Sequence, residues 1–158
     1  MVLKSGLATL MGKNYALINA ALFGFISSLA GFLIVPESHG NGWEYLWITT
    51  GAGGFLTAFL FSYFFIVLPK NFSRARLIFS GFFIGVLSHW THWYLFLLAN
   101  SMRCIWTAEF SSTCPNPIEA LMGAVYLSGG SLILLGWLAI PAAIGSLFLS
   151  KRIASPSN

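Results

Sequence analysis

Four long stretches of this chain carry no Asp, Glu, Lys or Arg, and this limits its possible folds more than any other feature. They run from Tyr15 to Val35, Leu46 to Leu68, Leu77 to Ala99 and Leu121 to Leu149. Crossing a hydrocarbon layer of about 30 Å takes roughly 20 apolar residues in a helix. Because that layer holds no water, backbone donors and acceptors must be bonded within the spanning structure, and a helix does this locally. Alternating segments of about ten residues, the mark of a membrane β-barrel, are absent. The expected fold is all-α: a single transmembrane domain over 1–158, built as a four-helix bundle. Its spans are 15–35, 46–68, 77–99 and 121–149, and its two longer loops are 36–45 and 100–120.

Composition excludes the alternatives. Charged residues make up 8% of the 158 positions and hydrophobic ones 57%, whereas an ordinary soluble domain is about 25% charged. Eight basic and four acidic side chains cannot solubilise a globule of this size. A soluble enzyme, a nucleic-acid binder and a disordered chain are thereby set aside. The net charge of +4 provides no basic surface for nucleic acid. The expected partners are membrane lipid and a membrane protein or a second copy of the chain.

The few charges give an orientation. Lys4, Lys13, Lys70, Arg74, Arg76, Lys151 and Arg152 fall on one side of the spans. Glu37, Glu44, Glu109 and Glu119 fall on the other, with Arg103 as the one basic residue there. The bias in Lys and Arg places both termini in the cytoplasm and loops 36–45 and 100–120 outside. Small size and short loops suggest a bacterial inner membrane. The first span is too long for a signal-peptide core and is followed by no small-x-small site, so no cleavage is expected. Trp43, Tyr45, Trp47 and Trp106 form an interfacial aromatic belt on the outer side.

Cys104 and Cys114 are the two cysteines of the chain, and both lie in the second outer loop. In an oxidising compartment they read as a disulfide, contributing roughly 2–3 kcal/mol by closing a short loop. A four-helix disulfide-generating oxidase would need a second cysteine pair in the first outer loop. Pro36 to Tyr45 contains none.

Helices in lipid associate where small residues let their backbones approach. Each span has such a stripe: Ala20, Gly24, Ser27 and Gly31; then Gly51, Gly54 and Ala58; then Gly81 and Gly85. The fourth carries small residues on two sides, including Gly129, Gly130 and Gly136, which marks it as central or as facing a partner. Pro141 is expected to kink that helix.

Chemistry is concentrated in Ser88-His89-Trp90-Thr91-His92-Trp93-Tyr94. His89 lies about midway between Arg76 and Asn100, close to mid-bilayer at about 1.5 Å per residue. Ionisable groups at that depth are costly and suggest function, and two histidines at i, i+3 share a helix face. Ser88, His89, Thr91 and His92 are therefore the candidate ligand- or substrate-contacting residues. No span holds a Cys, Asp or Glu to complete a metal shell, and the third histidine, His39, is in a loop. Neither metal nor haem is expected, and no cofactor is assigned. Neutral histidines bonded across a helix interface would also account for the pair. No phosphate-binding loop, nucleophile elbow, zincin motif or dinucleotide fingerprint occurs.

The leading expectation is a protein that works by contacts within the bilayer, as an accessory subunit of a larger complex or an immunity- or inhibitor-type partner. The alternative is an oligomeric transporter or channel that uses the His89/His92 face. A lipid- or quinone-linked membrane enzyme comes third, because a histidine pair without a carboxylate makes a poor catalytic set.

Overall fold

The computed structural model describes residues 2–34, 43–106 and 116–154, with side chains for 14–34, 43, 45–106 and 116–154. Every element among them is helical. Helix α1 spans Val2–Ile34. A short 3-10 turn, Trp43–Tyr45, leads into α2 at Leu46–Ser62, which continues as a π-helical turn over Tyr63–Val67. Helix α3 spans Arg74–Trp106 and α4 spans Pro117–Ala154. Four segments are long and apolar enough to cross a membrane: Asn14–Ile34, Leu46–Val67, Arg74–Trp106 and Pro117–Ala154. The helices outrun the apolar spans because lipid sets the length of the apolar stretch, while capping chemistry decides where the helix ends.

Two ends show how. Pro69 cannot donate a backbone hydrogen bond, and the ladder widens as it approaches that residue. Leu68 N donates to Tyr63 O at 2.8 Å and Asn71 N to Ile66 O at 3.1 Å, both five residues back. Lys70 then takes a left-handed conformation, φ 52°, which turns the chain toward α3. At the start of α4, Asn116 Oδ1 accepts from Ile118 N at 3.0 Å and Glu119 N at 2.9 Å. Glu119 Oε2 accepts from Asn116 N at 2.9 Å in return. With Pro117 at the first helical position, this reciprocal box satisfies donors that a helix N-terminus otherwise leaves open.

Burial is inverted relative to a water-soluble protein. Phe25, Phe32, Leu33, Ile133 and Leu134 are exposed, while Asn19, Ser62, Ser146 and Ser150 are buried. In water this arrangement would be unstable; in lipid, apolar atoms lose nothing by facing outward and polar groups must find partners inside. The helices pack around the bundle as α1 on α2, α2 on α3 and α3 on α4, with α1 and α4 meeting least extensively.

Close approach occurs at glycines. A Cβ added at Gly24, Gly31, Gly51 or Gly54 would lie 2.5 to 2.9 Å from atoms across the α1–α2 contact, among them Phe55, Trp47, Thr50, Ser27 and Ser28. At Gly81 and Gly85 it would meet Ile144 and Ile140 of α4 at 2.6 and 2.8 Å. Ala20 and Ala58 are fully buried. Gly136 is buried too, and a Cβ there would meet Leu132 of its own helix at 3.3 Å. Gly129 and Gly130 are exposed, with nothing within 4 Å of an added Cβ. Helix α4 runs through Pro141, which lies on its exposed side. Cys104 lies near the end of α3, whereas Cys114 falls outside the described residues, as do most of loop 36–45 and the middle of 100–120.

The end of the bundle near Lys70 is tied by a polar clamp. Fully buried Asn19 on α1 donates through Nδ2 to Ser62 Oγ on α2 at 2.8 Å. Its Oδ1 accepts from Ser146 Oγ on α4, also at 2.8 Å. One residue thus joins three helices. Tyr15 Oη donates to Leu147 O at 3.2 Å, and the Tyr15 ring meets Phe72 edge-on with centroids 5.1 Å apart. Lys151 Nζ donates to Phe72 O at 3.0 Å, which fixes the end of α4 to the turn between α2 and α3.

Two stability predictions follow from these contacts. Asn19→Leu keeps the bulk but orphans two bonds, and should cost roughly 1–2 kcal/mol in reversible unfolding in mixed micelles. An unchanged unfolding midpoint would rule out the clamp. Asn116→Ala should cost about 1 kcal/mol through loss of the cap, measured the same way.

Candidate functional site

The histidine pair owes its position to a backbone contact. A Cβ built on Gly53 of α2 would meet the backbone N of His92 at 2.8 Å and its Cα at 2.9 Å, so α2 and α3 touch there main chain to main chain. Beside it, Thr57 Oγ1 lies 2.7 Å from Gly53 O and 3.1 Å from Thr91 Oγ1. Thr91 donates its own hydrogen to Leu87 O at 2.9 Å. Thr91 therefore belongs to the α2–α3 contact. Ser88, His89 and His92 turn the other way, to a cleft between α1 and α4.

The two imidazoles are buried, His89 to 6% and His92 to 8% residual exposure, with ring centroids 5.9 Å apart and planes at 62°. His92 Nδ1 lies 3.3 Å from Ser88 O. A carbonyl only accepts, so Nδ1 carries the hydrogen, and in the neutral ring Nε2 is left as a lone pair. No hydrogen bond to that Nε2 forms among the described residues.

His89 engages α4. Its Nδ1 is 2.9 Å from Ser131 Oγ, and Trp93 Nε1 donates to the same oxygen at 3.0 Å. Ser131 Oγ also lies 3.2 Å from Ser128 O. With one hydroxyl hydrogen available, Ser131 either donates to Ser128 and accepts from His89, or donates to His89. Both arrangements leave His89 Nε2 buried without a partner. Ser88 Oγ donates back to Gly85 O at 3.0 Å.

The cleft has a volume of about 520 Å³, within the roughly 300–1,000 Å³ usual for small-molecule sites. Phe23, Ile26, Ala30 and Leu33 of α1 form one wall and Leu135, Leu138, Ala139 and Ala142 of α4 the other. Trp43 and Leu46 lie toward one end, with Ser88, His89, His92, Trp93 and Ser131 along the floor. Rim residues Ile26, Leu33 and Leu138 are exposed, so the cleft opens sideways, onto the apolar outer surface of the bundle. Rings continue from the floor toward Trp43: Trp93 to Phe96 at 5.7 Å, then Phe96 to Trp43 at 5.5 Å.

The polar lining is two imidazoles, the hydroxyls of Ser27, Thr50, Ser88 and Ser131 and the indoles of Trp43 and Trp93, with no carboxylate, thiol or cation among the lining residues. No group of three or more His, Cys, Asp and Glu that could hold a metal comes together among the described residues. Such a floor can accept and donate hydrogen bonds. It sets the Ser131 hydroxyl against the His89 imidazole at 2.9 Å, but no third group among the described residues orients that imidazole, whose Nε2 is without a partner. Ser131 had no place in the sequence reading, although it completes the site together with Trp93. The available signal was Ser131 itself, a polar residue in the apolar α4 span, at a depth matching the histidines. Comparison with protein-family models, curated proteins and solved structures finds no match to this chain.

Ser131→Ala should remove the partner of two ring nitrogens at once, leaving Trp93 Nε1 and His89 Nδ1 unpaired. The expected loss is about 1–3 kcal/mol, with a shift in tryptophan emission, while Ser131→Thr retains both. Equal unfolding midpoints for the Ala variant and the native chain would show that this hydroxyl does not hold the floor together.

Proposed function

We propose that this chain is a small integral membrane subunit that works by helix–helix contact inside the bilayer, with α4 as its docking surface. The observation that carries the reading is the contrast among its glycines. Those in the α1–α2, α2–α3 and α3–α4 contacts each face atoms that a Cβ would strike, whereas three glycines of α4, the adjacent pair Gly129 and Gly130 and, farther along, Gly145, face open space. A glycine within a helix costs about 1 kcal/mol relative to alanine, and close approach offsets that cost in the interior. At Gly129 and Gly130 nothing from this chain does so. A helix of another membrane protein would fit there, between the flanking Tyr126 (85% exposed) and Ile133 (82% exposed). The Ser131–His89 pair on the cleft floor has no third group among the described residues to orient its imidazole, which favours action by contact, as a complex subunit or an inhibitor- or immunity-type partner.

In this reading the seven clustered basic residues face the cytoplasm of a bacterial inner membrane. The end bearing Trp43 and Trp106 faces outward, where Cys104 and Cys114 would close a disulfide. Transport of a small substrate, the second reading, draws on the cleft alone. It has weaker support, because the Asn19 clamp and Tyr15 join α1 to α4 across the other half of the bundle.

A photoreactive amino acid at Ile133 should trap a membrane-protein partner when the native membrane is irradiated, and the same group at Phe25 should not. Gly130→Leu should abolish capture and leave the unfolding midpoint of the isolated chain unchanged or slightly raised. Lipid adducts alone at Ile133, with a monomer that purifies free of other proteins in gentle detergent, would sink the docking reading.

A further inference from the structure

We infer that the cleft between α1 and α4 is a binding site for one uncharged long-chain lipid alcohol, taken sideways from the bilayer, whose hydroxyl bonds the His89/His92 floor. This site is separate from the exposed glycine pair of α4 and does not depend on the docking reading.

The lining specifies the ligand by elimination. Its walls are mostly apolar, interrupted by the hydroxyls of Ser27 and Thr50, and ask for a hydrocarbon chain. No Lys, Arg, Asp or Glu lines the cleft, and the floor lies near the middle of α3, where an unpaired charge is heavily penalised. A phosphate, carboxylate or ammonium headgroup therefore has no counterpart. His92 Nε2, an acceptor without a partner among the described residues, lies on the floor, while the hydroxyls of Ser27 and Thr50 line the α1 and α2 sides. A quinone carbonyl has no hydrogen to give to that nitrogen.

Hydrogen bonding narrows the choice to a hydroxyl. His92 Nδ1 is committed as a donor to Ser88 O, so its Nε2 can only accept in the neutral ring, and a ligand must bring a donor to it. Esters, ethers and carbonyls cannot. His89 Nε2, buried and without a partner, is a donor or an acceptor according to where the Ser131 hydrogen lies. A hydroxyl meets both conditions, since it donates once and accepts as well. An unmet polar group in an apolar interior is costly, and supplying its partner favours the alcohol over a chain of equal length that lacks the O–H.

The proposal is tested with the whole protein in phosphatidylcholine nanodiscs and two photoreactive probes, a diazirine-bearing hexadecanol and its methyl ether. The alcohol should label α1 and α4 peptides that contain the cleft walls, and unlabelled hexadecanol should compete. Labelling should exceed that by the ether roughly fivefold, the effect of about one hydrogen bond. His92→Leu should erase that preference and His92→Gln, whose amide oxygen still accepts, should keep it. Ala139→Phe, which fills the cleft without changing its polarity, should abolish labelling by both probes. Equal labelling by alcohol and ether in the unsubstituted protein would overturn the proposal without reliance on any variant. Label scattered over lipid-facing positions such as Phe25 and Ile133, or a reduced alkyl benzoquinol that displaces the probe better than hexadecanol, would overturn it too.

Discussion

The backbone contact between Gly53 and His92 is the constraint on which the interior of this bundle depends. No side chain separates α2 from α3 at that point, so the two main chains meet directly and leave no room even for a methyl group. Because His92 is held by its own backbone, the orientation of the α3 face around it follows. Ser88, His89 and His92 turn toward α4 and the cleft, and Thr91 turns toward α2. A similar contact at Gly81 and Gly85 draws in Ile144 and Ile140, which sets α4 close enough for Ser131 to reach His89 and Trp93. The histidine floor is thus a product of glycine placement as much as of the histidines themselves.

Polar groups supply what the hydrophobic effect cannot. Between helices already in lipid, burying leucine against leucine gains little, and association rests on packing and hydrogen bonds. The two halves of the bundle use these differently. Near Lys70, Asn19 joins α1, α2 and α4 with each of its amide atoms bonded. Toward Trp43, α1 leans on α2 through Gly24, Gly31, Gly51 and Gly54, and between α1 and α4 lies the cleft. The same pair of helices is therefore bonded together at one end and parted at the other.

Much of the fold was legible in the residues. The four uncharged stretches are the four membrane-length helices, because a hydrocarbon solvent tolerates neither charge nor unbonded backbone. Less legible were the helix ends. The box formed by Asn116, Pro117 and Glu119 carries α4 beyond its apolar limit, and the π turn before Pro69 alters how α2 finishes. Within the site, Ser88, His89 and His92 line one cleft, whereas Thr91, their neighbour in sequence, does not. An i, i+3 spacing places two residues on one face, but cannot say which neighbouring helix that face meets. Asn19 and Ser131 escaped a search directed at ionisable groups, since their contribution depends on partners from distant parts of the chain.

By itself, the sequence determined that the chain has four helices long and apolar enough to cross a membrane, and that the histidines are its main candidates for chemistry. These follow from local properties: apolar length, the positions of charges and depth along a helix. The tertiary structure decided which glycines close a contact and which face outward, which ring nitrogens are bonded and which are left open, and that α1 and α4 part to form a cleft. The physical reason is that partners and voids belong to pairs of helices. A hydrogen bond from His89 to Ser131 joins residues 42 positions apart, and nothing local in either segment specifies that they meet.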